Sequence, residues 1–360
     1  MRNNFFALSF FVLTLLVSSC SSDDDSKTEV KAGFDVTMPV EFKSTIYPSL
    51  IFGLTEIEKE INEPVDYFTI KINTNIKSDV QIVIQESKLN YETVINQKDI
   101  KGAHEFTPSI KWKFDDLQNM TQPGNTDITF VCYEYGTNKE LGRKNLRLSY
   151  RSINECVLYL NMNDEIIPLP FLMAAYINED SPIVDAFLKD VLSDNPALSG
   201  FVGYQQDKDK VDMQVYAIFN TLRNKGIKYS SITETSNSNP NVISQYIRFS
   251  DEVLNNTQAN CADGTAFFCS VLKKIGIHTA MIFEPGHVYL GYYLDDSKNS
   301  LRLLETTVIG TKEYSFIDAL NLNIEKFNSN LEQYNNEEIL DGYFLIDIDD
   351  AREIIKPIGR

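Results

Sequence analysis

Apolar and polar positions alternate with a period of two in several stretches of the first third of the chain. Phe68, Ile70 and Ile72 alternate with Thr69, Lys71 and Asn73; Ile110, Trp112 and Phe114 with Lys111 and Lys113; Leu146, Leu148 and Tyr150 with Arg147 and Ser149. Successive side chains of a strand point to opposite faces, so this period predicts half-buried strands. Residues 80–84 and 128–133 are more continuously apolar, and Gly136-Thr137-Asn138-Lys139-Glu140 fits a hairpin connection. Residues 33–152 are therefore expected to be all-β, as an Ig-like β-sandwich.

Beyond residue 153 the period changes. Ile183, Phe187 and Val191 with Val184 and Leu188 mark one amphipathic helix; Val211, Val215, Ile218, Phe219 and Leu222 mark a second, ended by Gly226. Phe268, Val271, Leu272 and Ile275 fall at i, i+3, i+4 and i+7 and mark a third, ended by Gly276. Residues 227–229 are expected to be extended, and the Asn/Ser/Thr-rich residues 231–241 to form a loop. A short buried strand at 279–283, a turn at Glu284-Pro285-Gly286, a strand at 287–294, a polar loop at 295–300 and a returning strand at 301–307 follow. Further on, 316–320 predicts a short helix, 343–348 a closing strand, and 349–355 a helical turn before Pro357. The mixture makes residues 153–360 an α+β domain.

The candidate chemistry lies in residues 260–307. Cys261 falls in the first turn of the third helix, behind Asn260, a good N-cap. Stepping back from Leu272 through Phe268 and Thr265 to Cys261 stays on one side, so the thiol ends the core-facing stripe. A helix N-terminus favours a thiolate over a thiol. His287 opens the second strand and Glu305 lies on the returning one. If the hairpin closes with Leu294 facing Lys298, His287 faces Glu305, whereas a one-residue slip would send the two to opposite faces. In the expected register they form nucleophile, base and orienter. A lone Cys at a helix start or His at a strand start is ordinarily structural; the ordered set is what points to catalysis.

The order Cys261, His287, Glu305, with Leu-Lys-Lys-Ile-Gly-Ile closing the cysteine helix and Glu-Thr-Thr at the third member, resembles the transglutaminase-like superfamily of papain-like cysteine enzymes over roughly residues 155–310. The helix followed by Gly-Ile-Lys-Tyr at 226–229 also resembles that family's pattern upstream of the cysteine. The resemblance implies Cys261 as nucleophile, His287 as base and Glu305 as third member, where many relatives have Asp. The family often has a Trp beside the cysteine or after the histidine; here the single Trp is Trp112, and Val288 and Tyr289 follow His287. Papain-like enzymes often use an upstream Gln as oxyanion donor, which makes Gln245 a candidate, the alternative being a surface amide before a strand.

The N-terminus reads as an address. A basic start at Arg2, an apolar run at 5–17 and then Val17-Ser18-Ser19-Cys20 resemble a lipoprotein signal peptide, residues 1–19, with a lipobox ending at Cys20. The resemblance implies cleavage before Cys20 and diacylation of its thiol. Ser21-Ser22-Asp23-Asp24-Asp25 resembles the export tag of surface-displayed lipoproteins, the alternative being a solvated tether; residues 20–32 are expected to be a flexible tether. The protein is therefore expected in the outer membrane, lipid-anchored, at the cell surface or facing the periplasm.

With 360 residues, 43% of them hydrophobic, the chain has material for two cores. Its net charge of −18 becomes −19 without the leader and Arg2, which disfavours nucleic acid or anionic lipid headgroups as partners and leaves membrane association to the lipid anchor alone. Of the five cysteines, Cys132 and Cys156 are the pair a disulfide could join, although both also sit among apolar neighbours where a free thiol is common. Cys269 lies about 80° round the helix from Cys261 and is expected to pack. The three histidines, His104, His278 and His287, and the absence of H-E-x-x-H give no zinc site; no Walker or G-x-G-x-x-G loop is present, and no EF-hand spacing implies Ca²⁺. No metal or cofactor is expected. His104 is placed in a polar loop, in a structural or surface role, and His278 at a strand entry, as packing or surface. The preferred reading is a cysteine hydrolase or acyltransferase acting on amide bonds of a peptide or protein, with the β part as spacer or accessory. The competing reading is a surface binding lipoprotein that keeps the fold as a scaffold without turnover.

Overall fold

The computed structural model describes residues 29–162, 165–231, 239–335 and 342–359. The leader, Cys20 and the acidic run lie outside the described residues, as does most of the loop expected at 231–241.

The first part comprises β1 (Ala32–Thr37), β2 (Thr45–Ile46), α1 (Pro48–Ile61), β3 (Thr69–Ile84), β4 (Thr93–Phe106), α2 (Phe114–Leu117), β5 (Gly124–Glu134) and β6 (Glu140–Tyr150). Its six strands join in one sheet ordered β1-β3-β5-β6-β2, with β4 also pairing β3. The stretches expected as separate strands around Ile70 and Val83 are two halves of β3. The polar positions Asn75, Lys77, Ser78 and Asp79 between them shift the register on β4 at Thr74/Ser78 and Ser78/Val80, and such bulges bend a strand without ending it. The first half of β3 pairs with β1 and the second with β5.

Four expectations change here. Two separately hydrogen-bonded sheets, as an Ig-like β-sandwich requires, are not what the described residues form. The segment is not all-β either: Leu50, Ile51, Leu54 and Ile57 recur at helical spacing behind Pro48, and they form α1 with Leu50, Ile51 and Ile57 buried. The alternation at Ile110, Trp112 and Phe114 makes no strand beyond a single bridge from Trp112 to Asn90. Instead the Trp112 indole donates to Asp66 Oδ2 at 3.2 Å, and the chain turns into α2 at Phe114. His104 lies on β4 opposite Ile72, not in a loop.

The second part continues with β7 (Glu155–Met162), β8 (Glu165–Pro168), a 3-10 turn at Pro170–Tyr176, α3 (Pro182–Asp194), α4 (Lys208–Asn224), β9 (Lys228–Tyr229), β10 (Val242–Tyr246), α5 (Ser250–Asn256), β11 (Gln258–Ala259) and α6 (Cys261–Lys274). Then come β12 (Thr279–Glu284), β13 (His287–Tyr293), β14 (Leu301–Leu304), α7 (Phe316–Asn321), α8 (Ile324–Ser329), α9 (Leu331–Asn335), β15 (Phe344–Asp347) and α10 (Ile348–Ile354). An antiparallel sheet ordered β14-β13-β12-β15 lies under α6, whose Phe268, Val271 and Leu272 are wholly buried. β7 lies between β10 and β8, and the short β9 and β11 pair in parallel. The fold is mixed α+β with several sheets. No helix among the described residues is long and apolar enough to cross a membrane.

The two parts share one continuous apolar core that runs from Val36 to Ile358. α1 enters it from the first part: the Ser49 hydroxyl donates to the Glu155 carbonyl, and Gly53 sits so close to Leu172 that a Cβ there would lie 2.4 Å from its Cδ2. Ile153 N donates to Met120 O at 2.7 Å, and Lys356 pairs with Glu56 at 3.2 Å. Residues 153–360 made alone would uncover the faces that α1 covers, and exposed patches of that kind drive association. The fragment is expected to bind the dye ANS and to lose the sharp thermal transition of the whole chain; a fragment that melts sharply at the full-length temperature would show that the two parts fold independently.

Candidate active site

The site begins at the first turn of α6. Asn260 is extended and caps the helix: its side chain accepts from Asp263 N at 2.8 Å, while Asp263 Oδ2 accepts from Asn260 N at 2.9 Å. Asp263 is fully buried and also takes Arg248 N at 2.7 Å and Arg248 Nη1 at 2.6 Å. Burial raises its carboxyl above the ordinary range, opposed by the donors from Arg248 and Asn260. Removing one partner of such a pair costs about 3–5 kcal/mol, so the turn that carries Cys261 is rigidly tied to the residues after β10. Neither Asp263 nor Arg248 was indicated by the catalytic pattern, although Asn-x-x-Asp ahead of an apolar stripe is a legible capping signal.

Gly264 brings the third element in. A Cβ there would stand 2.9 Å from Thr306 Oγ1 and 3.1 Å from Thr306 Cβ, so only glycine lets the chain after β14 lie against the helix's first turn. That chain carries Glu305. Its register differs from expectation: Leu290 pairs with Leu304, and Leu294 N donates to Ser300 O at 2.8 Å. Leu294 therefore faces Ser300 and not Lys298, a shift of two residues, which keeps every side chain on its expected face. Glu305 lies diagonally from His287 instead of directly opposite.

His287 Nε2 lies 2.7 Å from Glu305 Oε2. The same Oε2 accepts from Asn323 Nδ2 at 2.8 Å, and Oε1 accepts from Thr307 N at 2.9 Å and Thr307 Oγ1 at 2.6 Å. Burial works to raise the Glu305 carboxyl, but the bond from His287 and those from Thr307 and Asn323 outweigh it and hold it at about 2. The Cys261 thiol is the first influence on the His287 ring, and it, ahead of the bond to Glu305, raises the imidazole to about 10 against desolvation. With Nε2 on Glu305, Nδ1 is the nitrogen left for sulfur. The imidazole thus lies between a buried carboxylate, which it meets directly, and a partly exposed thiol near enough to act on it.

The other cysteines lack such neighbours. Cys132, Cys156 and Cys269 are buried free thiols, with no disulfide between the first two. Burial pushes Cys132 and Cys269 up to about 12, and Cys156 further still. Gln245, the candidate oxyanion donor, lies on β10 with its Nε2 donating to Tyr246 O at 2.9 Å, the carbonyl that also takes Asn260 Nδ2 at 3.3 Å. Its amide is close to the cap of α6 but turned to the backbone. Tyr229, half-exposed on β9, was not singled out from the sequence; its phenol is raised by burial and then by the charges of Cys261 and Glu305, which marks it as their neighbour. His278 follows the opposite end of α6, between Asp349 and Asp296 and stacked on Tyr204, apart from this line. Among the described residues no group of three or more His, Cys, Asp and Glu is placed to hold a metal ion.

No family model matches the chain, and no curated protein matches it. The crystal structure of red sea bream transglutaminase is similar over 78% of this chain and 54% of its own, at 11% sequence identity and a TM-score of 0.24. The chain thus spans about half the length of that protein, and at so low an overlap neither fold nor chemistry carries across.

The charged pair makes stability depend on pH. His287, raised from 6.5 to about 10, stabilises the fold fully below 6.5 and loses that contribution as pH rises through about 10. Glu305, lowered from 4.5 to about 2, contributes fully above 4.5 and loses it as pH falls through about 2. Both contributions are complete only between those ordinary values. The difference in melting temperature between the native protein and Glu305→Gln is therefore expected to peak at about pH 4.5–6.5 and to shrink on either side; a difference that does not vary with pH would mean that the pair is uncharged.

Proposed function

We propose that the chain is a thiol-dependent enzyme of the transglutaminase-like, papain-like type over roughly residues 155–310, acting on an amide carbonyl of a peptide or protein. The observation that supports this most directly is the Glu305 bond to His287 Nε2, which leaves Nδ1 for Cys261. In this reading the thiol proton rests on Nδ1, and the sulfur lone pair adds to the carbonyl carbon. The resulting oxyanion collapses to a thioester as the C–N bond breaks, and His287 gives its proton to the departing amine. Water then attacks the thioester while His287 takes its proton, releasing the acid and restoring the thiol; an amine in place of water would give transfer. Glu305 stays ionised throughout and steadies the imidazolium. Gln245 would serve the oxyanion by turning its amide from the Tyr246 carbonyl to the substrate oxygen.

The lipobox at Val17-Ser18-Ser19-Cys20 supports a lipid anchor at Cys20 and an outer-membrane location, with the acidic surface making no headgroup contact of its own. Cys20→Ser is expected to move the protein from the membrane fraction to soluble material, and unchanged retention would remove the anchor from the proposal. The catalytic reading is tested without knowing the substrate. Iodoacetamide at about pH 6, read out by peptide mass spectrometry, is expected to label Cys261 selectively, since thiolates react and thiols do not. His287→Ala is expected to cut labelling about tenfold or more and Glu305→Gln by less, the first removing the charge partner and the second only its orienter. Slow labelling of Cys261, indifferent to His287→Ala in a folded protein, would favour a binding scaffold.

A further inference from the structure

Asn323 lies between α7 and α8, in a stretch without a recognisable motif. It occupies the N-cap position of α8, where an asparagine ordinarily accepts from the helix's first amides. Here, among the described residues, its side chain makes no such cap. Its Nδ2 donates instead to Glu305 Oε2 at 2.8 Å, the oxygen that meets His287 Nε2 at 2.7 Å. A residue that forgoes its local role for a distant contact is what a functional site requires. The surrounding segment grips the same strands. Ala319 O accepts from Glu305 N at 3.0 Å, Lys326 on α8 pairs with Glu284, the residue opposite His287, and the Tyr334 hydroxyl on α9 lies 3.4 Å from that of Tyr289.

We infer that Asn323 is a positioning residue for the Cys261–His287–Glu305 line, fixing Glu305 Oε2 as an acceptor for the imidazole and denying that oxygen a proton. The inference rests on the catalytic reading above. An amide N–H can do this because it donates without bringing charge, whereas a carboxylate in its place could only accept. The charged and titratable groups around Glu305 are His287 from β13, Cys261 from α6 beyond the ring, and Tyr229 from β9. Glu284 and Lys326 lie beyond the ring and pair with each other. Among the described residues, only His287 and Asn323 reach Oε2.

The test is the rate of Cys261 alkylation by iodoacetamide in the full chain from pH 5 to 9, for the native protein, Asn323→Ala and Asn323→Asp, alongside melting temperatures. Asn323→Asp is nearly isosteric, and Asp caps helices as well as Asn, so a packing or capping role predicts native rates for Asn323→Asp and a loss only for Asn323→Ala. The positioning role predicts the reverse order. Two carboxylates within hydrogen-bond distance share a proton, so Asn323→Asp is expected to slow Cys261 by about tenfold near pH 6 and to move the acid limb of the profile up by about one unit, with Asn323→Ala affected less. Should Asn323→Asp not fold, a folded Asn323→Ala with an upward-shifted acid limb carries the inference, and one with the native profile overturns it. Unselective labelling in the native protein defeats the catalytic reading and this inference together. Selective native labelling with both variants unchanged defeats this inference alone.

Discussion

Glu305 is a carboxylate with almost no water around it, 5% exposed, and the arrangement of the site follows from what that burial demands. Taking an ionised carboxylate out of water is unfavourable by several kcal/mol unless hydrogen bonds replace the lost hydration. Four donors do so: His287 and Asn323 on one oxygen, Thr307 twice on the other. Each fixes an element of the structure, drawing in β13, the junction of α7 with α8, and the turn after β14. An imidazole that satisfies Oε2 through Nε2 has one nitrogen left, Nδ1, for the thiol that acts on the ring. The orientation of His287 toward Cys261 is thus set by a side chain that need not touch a substrate.

A second buried carboxylate does the same for the sulfur. Asp263 binds the amides of Asn260 and Arg248 and the Arg248 guanidinium, so the first turn of α6 cannot rotate or fray without exposing an unpaired charge to the core. The apolar stripe at Phe268, Val271 and Leu272 seats the rest of the helix on the sheet. Gly264 then permits the Thr306 side chain to lie against that turn. Helix and strand meet at one point because one carboxylate locks the helix end and the other gathers the strand ends, and neither task could fall to an apolar residue.

Much of this was legible before any coordinates. The helical spacing from Val211 to Leu222 and from Phe268 to Ile275, with Gly226 and Gly276 behind them, places α4 and α6, because apolar period and glycine stops are local signals. The first part was read less well. α1 hides among alternating strands because a fourteen-residue helix with charged Glu56, Glu58, Lys59 and Glu60 in its second half contributes few apolar positions against the β pattern around it. The stretch at Ile110 and Trp112 alternates because both side chains are buried, but burial of alternate residues also suits an extended loop lacking partners for a ladder. Whether six strands make one sheet or two is decided by distant pairing, such as the two halves of β3 meeting different neighbours, and no window of sequence contains that. Asp263, Arg248 and Asn323 escaped the catalytic reading for a related reason: each acts through another residue, and their common types carry no motif.

The expected register between β13 and β14 was off by two residues, and the reason this left the contact intact says what holds the site. An even shift preserves faces, so His287 and Glu305 stayed on one side of the hairpin, but directly opposite pairing was lost. β14 ends at Leu304, and continuing its register would set Tyr289 across from Glu305 and Thr307 across from His287. The Glu305 amide is not bound to β13; it donates to Ala319 O, outside the sheet. Having left the ladder, Glu305 cannot take its position from strand pairing, which is why its contacts converge from elsewhere: Ala319 on the backbone, Thr307 and Asn323 on the side chain. The hairpin delivers His287, but the helices that follow deliver the carboxylate. In this chain the third member of the line depends on residues 306–323 as much as on the strands that carry the other half of the contact.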